Sequence, residues 1–212
     1  FTASAVYGGL TAAARFADLF GDYERSDRYR SAAAAVKEGI LKHLWDETAG
    51  RFARGLVHDG GVWVKDMTEE SSLFGLFAFG VLPADDDRVA RTMRAVAERL
   101  SVKTGVGGVA RYMNDYYFQQ SQDLERIPGN PWIICTLWLA DYQIETARTP
   151  EDLAEPRRTL EKVAGYAIEG GNLPEQVHPE TGAPLSVAPL TWSHATYAAT
   201  VCKYVRKLRE LS

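Results

Sequence analysis

The chain has 212 residues, 46% of them hydrophobic and 25% charged, and a formal net charge of −4. That make-up suits one globular domain with a buried core and offers no basic field to a polyanion, so nucleic acid is not an expected partner. No apolar run approaches the roughly 20 residues that span a bilayer, so no membrane partner is expected either, and a small or neutral ligand fits the charge balance.

Ala-rich amphipathic spacing predicts a helix over residues 3–19 and another over 26–44, the second with Ser26 as a hydroxyl cap. Residues 50–64 change character, with aromatic and β-branched side chains and the turn His58-Asp59-Gly60-Gly61, and read as a short hairpin or loop. Thr68 followed by Glu69 and Glu70 reads as the start of a helix over 68–79, because a hydroxyl and early carboxylates suit exposed N–H groups. Pro83 and the run Asp85-Asp86-Asp87 open a further helix to about residue 100, the acids acting as its cap rather than as a metal site.

Residues 102–129 show no sustained period but hold Gly105, Gly107, Gly108 and the aromatics Tyr112, Tyr116, Tyr117 and Phe118. A loop of this length inside a domain is usually functional or disordered, and the aromatics argue for function. Helix resumes over 131–146 with Pro131 in its first turn, then over 156–169 until Gly170-Gly171 stops it. A second long loop follows over 172–189, and a last helix over 191–211. Cys135 and Cys202 fall within these apolar helices and read as two buried thiols, which points to a reducing, cytoplasmic setting. About seven helices and two long loops, with hardly any strand, make an all-α protein of the toroid kind, in which loops crowd one rim to form a site.

Three stretches carry candidate chemistry. In Pro174-Glu175-Gln176 a carboxylate is held by a stiff backbone and could be aimed at a substrate; a solvated loop glutamate has the same sequence. Arg111-Tyr112 with Asp115, followed by Gly129-Asn130-Pro131-Trp132, offers donors, acceptors and aromatic faces of the kind that hold a pyranose, although an internal Arg111–Asp115 ion pair is an equal reading. In Leu190-Thr191-Trp192-Ser193-His194 a polar cluster begins a helix, and His194 reads as structural. No second His or Cys stands at metal-ligand spacing, and there is no Gly-rich phosphate loop or nucleophile elbow, so neither metal nor cofactor is expected.

Taken in order, these stretches resemble the second half of glycoside hydrolase family 15, the group of glucoamylases, glucodextranases and some trehalases. The most specific part is Asn172-Leu173-Pro174-Glu175-Gln176, then Gly182, then the run Leu185-Ser186-Val187-Ala188-Pro189-Leu190-Thr191-Trp192-Ser193-His194-Ala195. The resemblance implies part of an (α/α)6 barrel, a six-hairpin toroid, and inverting release of glucose from an α-glucan, a dextran-type oligosaccharide or trehalose. It makes Glu175 the general base, an ionised carboxylate that activates water on the face opposite a separate acid. It carries over Arg111, Tyr112, Asp115, Trp132, Gln176 and Trp192 as substrate-binding residues, with Arg111 on sugar hydroxyls and the two tryptophans as walls.

One departure matters. The family's acid lies in a Trp-Glu-Glu stretch just before the segment resembling Phe1-Thr2, and no such stretch stands here. The expectation is a C-terminal part of one catalytic domain, with the acid and the N-terminal helices missing. Its partner would be that N-terminal half, and it would be inactive in isolation. A non-catalytic helical module binding sugar or protein through the loop rim would also explain a missing acid. A helical-toroid epimerase would need paired histidines, and the four here are poorly placed for that.

Overall fold

The computed structural model describes residues 1–212. Seven α-helices dominate, joined by short strands, and the residues cluster into two compact units: 1–68 with 73–92, and 69–72 with 93–212. No helix is long and apolar enough to cross a membrane.

In the first unit, α1 (Thr2–Leu19) and α2 (Tyr23–Leu44) form a helical hairpin. The α2 cap is Asp22, whose carboxylate accepts from the Arg25 N–H at 3.1 Å. Ser26, expected as that cap, lies one turn inside the helix, where its buried hydroxyl donates to the Ala14 carbonyl at 3.0 Å and ties the two helices together. The strands β1 (Trp45–Asp46) and β2 (Arg51–Phe52) pair, and then β3 (Gly55–Asp59) and β4 (Val62–Asp66) make a five-residue hairpin around Gly60-Gly61. Both turn glycines have positive φ, 54° and 90°, which an L side chain resists in a two-residue hairpin turn. A short helix, α3 (Gly75–Ala78), follows a 3-10 turn over Ser71–Phe74.

The expected helix start at Thr68 is not there. Glu69 and Glu70 are extended, and Glu70 pairs antiparallel with Tyr112; the Ser71 N–H donates to the Arg111 carbonyl at 2.8 Å and the Met113 N–H to the Glu69 carbonyl at 3.1 Å. Sequence-distant pairing has overridden the local helix signal.

The acidic run does begin α4 (Asp87–Leu100): the Asp86 carboxylate accepts from the Arg88 N–H at 2.9 Å and pairs with the Arg88 guanidinium. Val89, Met93, Val96 and Leu100, spaced by three or four, are its buried stripe. In the second unit, β5 (Val109–Ala110) and β6 (Pro131–Trp132) precede α5 (Ile133–Thr146), so Pro131 is a strand residue rather than a first-turn one. The helix α6 (Ala154–Gly165) starts two residues earlier than expected, behind a Thr149/Asp152 capping box, and stops four residues earlier, where the Tyr166 hydroxyl donates to the Val106 carbonyl at 2.7 Å. Then come β7 (Gln176–Val177), β8 (Pro184–Leu185) and α7 (Thr191–Leu211).

The core of this unit gathers Ile133 and Leu137 of α5, Leu160 and Val163 of α6, and Val106, Leu173 and Val177 from the loops. Packing the loops into the helical core is what makes them rigid enough to hold a site. Cys135 is buried on α5, and burial pushes its thiol well above the ordinary range. Cys202 is exposed on α7, so only one of the two thiols expected to be buried is so.

Candidate active site

The strands β5-β6-β7-β8 form one antiparallel sheet that joins the two long loops, with Val109 opposite Trp132, Trp132 opposite Gln176 and Gln176 opposite Leu185. Sequence-distant candidates are thereby brought side by side. The Ile133 N–H, at the start of α5, donates to the Glu175 carbonyl at 3.1 Å, and the Glu175 N–H donates to the Val187 carbonyl at 2.8 Å.

The N-terminus of α7 grips the same loop. The Ser193 hydroxyl donates to the Pro174 carbonyl at 2.8 Å, and His194 Nε2 accepts from the Leu173 N–H at 2.9 Å. His194 therefore spends its lone pair on the backbone, as its structural reading requires. The glutamate it steadies is partly exposed, between Pro174 and Gln176, which are buried. Glu175 Oε2 accepts from the Ser186 hydroxyl at 2.5 Å and from Gln176 Nε2 at 3.4 Å. Behind it, the fully buried Gln176 Oε1 accepts from Asn130 Nδ2 at 3.0 Å.

Arg111 and Asp115 do form the internal ion pair, and it is bidentate: Nε to Oδ2 at 2.9 Å and Nη2 to Oδ1 at 2.8 Å. Asp115 is 1% exposed and also accepts from Trp132 Nε1 at 3.2 Å and the Tyr117 N–H at 3.1 Å. Burial opposes the Arg111 charge, but the Asp115 carboxylate outweighs it and holds Arg111 above its ordinary value. The guanidinium lies against three rings, its carbon 4.4 Å from the Trp132 centroid, 4.9 Å from Tyr112 and 5.6 Å from Tyr117. Burial, then the Asp115 charge, raises the Tyr112 phenol and keeps it a neutral donor.

The ion pair and the sugar-binding reading of Arg111 are thus compatible. Asp115 takes two N–H groups of one edge, while the side chain remains 32% exposed with its other edge unspent by the carboxylate. A donor fixed in direction against flat rings, on the same sheet and adjoining loops as a partly exposed carboxylate, is suited to binding a polyhydroxylated ring and handling a proton.

The structure brings Arg111, Tyr112, Asp115, Trp132, Glu175 and Gln176 onto one sheet and its adjoining loops. Trp192 stands in the first turn of α7, 51% exposed, with its ring 5.8 Å from Trp138. Sequence reasoning did not single out Ser186, Tyr117 or Asn130 individually. Tyr117 bridges the two halves of the site, its ring 5.9 Å from Trp132 and its hydroxyl 3.4 Å from the Ser186 hydroxyl. Their signal was present only as membership of the aromatic cluster and of the quoted motifs. A further mark is conformational: Asn114, Phe118 and Ser186 are the residues other than glycine with positive φ, and all three flank this site.

Comparison with known proteins gives the following. The family model for Glycosyl hydrolases family 15 matches residues 1–201. A glucoamylase of Clostridium sp. is 30% identical over 92% of this chain and 30% of its own length, and an isomaltose glucohydrolase of Kribbella flavida is 31% identical over 92% and 47% respectively. The crystal structure of a bacterial glucoamylase complexed with acarbose superposes with a TM-score of 0.79 at 25% identity, covering 97% of this chain and 33% of that one. The chain therefore spans about a third to a half of the length of these relatives. Its helices are part of an (α/α)6 barrel.

Proposed function

Since the chain belongs to glycosyl hydrolases family 15 and spans only part of its relatives' length, we propose that it carries the general-base side of an inverting, exo-acting α-glucosidase. In this reading the Glu175 carboxylate takes a proton from water as that water attacks the anomeric carbon. A carboxylic acid on the opposite face protonates the departing glycosidic oxygen, and β-glucose is released. That acid belongs to a part of the domain upstream of these residues, which also supplies the remaining helices. Arg111, fixed by Asp115, donates to hydroxyls of the glucosyl unit at the cleavage point, while Trp132, Tyr112 and Trp192 wall it. Gln176, wholly buried, acts through Glu175 and Asn130.

The observation that carries the reading is the held carboxylate: Glu175, gripped through its backbone by α5 and Val187 and through its side chain by Ser186, immediately before the strand whose Gln176 pairs with Trp132. A solvated loop glutamate would have none of these ties. The relatives' names, glucoamylase and isomaltose glucohydrolase, support an α-glucoside as substrate.

The test is glucose release from maltose, isomaltose and trehalose by the full domain containing this chain, with and without Glu175→Gln. Loss of a general base lowers the rate by about 10²–10⁴. A variant that keeps the parent's rate sinks the assignment of Glu175, and a parent inert on all three sugars leaves a carbohydrate-binding module.

A further inference from the structure

We infer that Phe118 is a specificity-determining residue, an aromatic ledge that meets the leaving sugar beyond the cleavage point. The inference rests on the α-glucosidase reading above.

Phe118 is held where a phenylalanine seldom sits. Its φ is 56°, in the left-handed region, where the Cβ crowds the following carbonyl. The conformation is locked from both sides: the Phe118 carbonyl accepts from Gln120 Nε2 at 2.7 Å and from Asn130 Nδ2 at 2.8 Å. Phe118 is nonetheless 51% exposed in this chain. It stands edge-on to Tyr117 at 4.8 Å, and Tyr117 in turn reaches Ser186, the partner of Glu175. The backbone is constrained, and the constraint presents an apolar face to solvent at the edge of the site.

The position of that face decides what it touches. The end of the site made by Asp115, Trp132 and Gln176 is buried, so a glucosyl unit bound there has its remaining substrate directed toward the open side. Phe118 lies on the exposed side, as does Tyr116, two positions earlier in the chain and 78% exposed. A pyranose presents one apolar face, which a flat ring covers. The lock also couples the ledge to the base, because the same Asn130 amide nitrogen that holds the Phe118 carbonyl donates to Gln176, the neighbour of Glu175. One side chain therefore sets the distance between ledge and carboxylate.

The experiment compares kcat/KM on α-glucosyl fluoride, whose leaving group is no sugar, with that on trehalose, maltotriose and isomaltotriose. The full domain is used as parent, Phe118→Asn, which tolerates left-handed backbone but lacks the ring, and Phe118→Tyr, which keeps it. The expected result is that Phe118→Asn loses about tenfold more on the sugar-leaving substrates than on the fluoride, mainly through KM, and that Phe118→Tyr restores most of the difference. Equal losses on both substrate types, or no loss, overturn the ledge and leave the hydrolase reading standing. A parent inert on every substrate overturns both.

Discussion

The hydroxyl of Ser186 donates to the Glu175 carboxylate from a backbone held at φ 61°, so a residue in a disfavoured conformation positions the proposed base. The two lie eleven positions apart and meet because β7 and β8 pair, with Gln176 opposite Leu185. Removing the hydroxyl frees the carboxylate to rotate without touching substrate. Ser186→Ala is expected to lower kcat about tenfold with little change in KM. Ser186→Gly loses the same hydrogen bond but accepts the positive φ, so it should be more stable than Ser186→Ala by about 1 kcal/mol in denaturant melts. Equal stability of the two would show that the conformation is not strained.

Asp115 orients Arg111 from a position that is 1% exposed. Asp115→Asn removes the charge and the bidentate geometry, leaves the partly buried guanidinium uncompensated, and should cost about 3 kcal/mol of stability. Arg111→Lys keeps the charge but loses the fork, and should raise KM by tenfold or more while kcat changes less. Steady-state kinetics of the two variants separate the roles.

Gly129 underlies the same pair. A Cβ there would stand 3.0 Å from the Asp115 Cβ and 3.2 Å from the Ala110 Cβ. Gly129→Ala is expected to push Asp115 off its place and raise KM several-fold, at a stability cost of about 1–3 kcal/mol. A Gly129→Ala protein with the parent's KM contradicts the role given to Asp115.

His194 is given no catalytic step, only the Leu173 N–H. His194→Ala leaves that buried donor unpaired and should cost about 1–2 kcal/mol. His194→Gln, which still offers an acceptor, should recover part of it. A His194→Ala protein of parental stability but without activity would place the histidine in the chemistry instead.

Asp86 gives a pH-dependent term. Its hydrogen bonds from the Arg88 side chain, and after them the Arg88 backbone N–H, outweigh burial and hold the carboxyl below its ordinary value. A folded-state value below the unfolded one means that the stabilisation is present above the ordinary carboxylate range and vanishes as the pH falls through the folded value. Asp86→Asn should therefore cost about 1 kcal/mol at pH 7, a cost that shrinks as the pH is lowered through and below the ordinary carboxylate range, as read from urea unfolding across that range.

Much of this could be read from the residues in order. The last helix begins and ends where its periodicity does, at Thr191 and Leu211, because nothing distant interrupts its amphipathic spacing. The His58-Asp59-Gly60-Gly61 turn yields a hairpin because the required φ values suit glycine. Errors arose where distant backbone took over. Glu69 and Glu70 carry a sound local helix signal but bond to the backbone around Tyr112, and Pro131 is drawn into the sheet opposite Ala110. The same cause hides Ser186, whose contact with Glu175 depends on strand register, and the Arg111–Asp115 pairing, which depends on the burial of the carboxylate. Local apolarity points Cys202 inward, although it lies on an exposed face of α7.

The most direct test of the account is the anomer of the first glucose released by the full domain, followed by proton NMR before mutarotation, with Glu175→Gln measured alongside. β-Glucose is expected from an α-glucoside, with a fall of about 10²–10⁴ in the variant. Initial α-glucose, or a Glu175→Gln protein that keeps its rate, contradicts the assignment of Glu175 as the base of an inverting hydrolase.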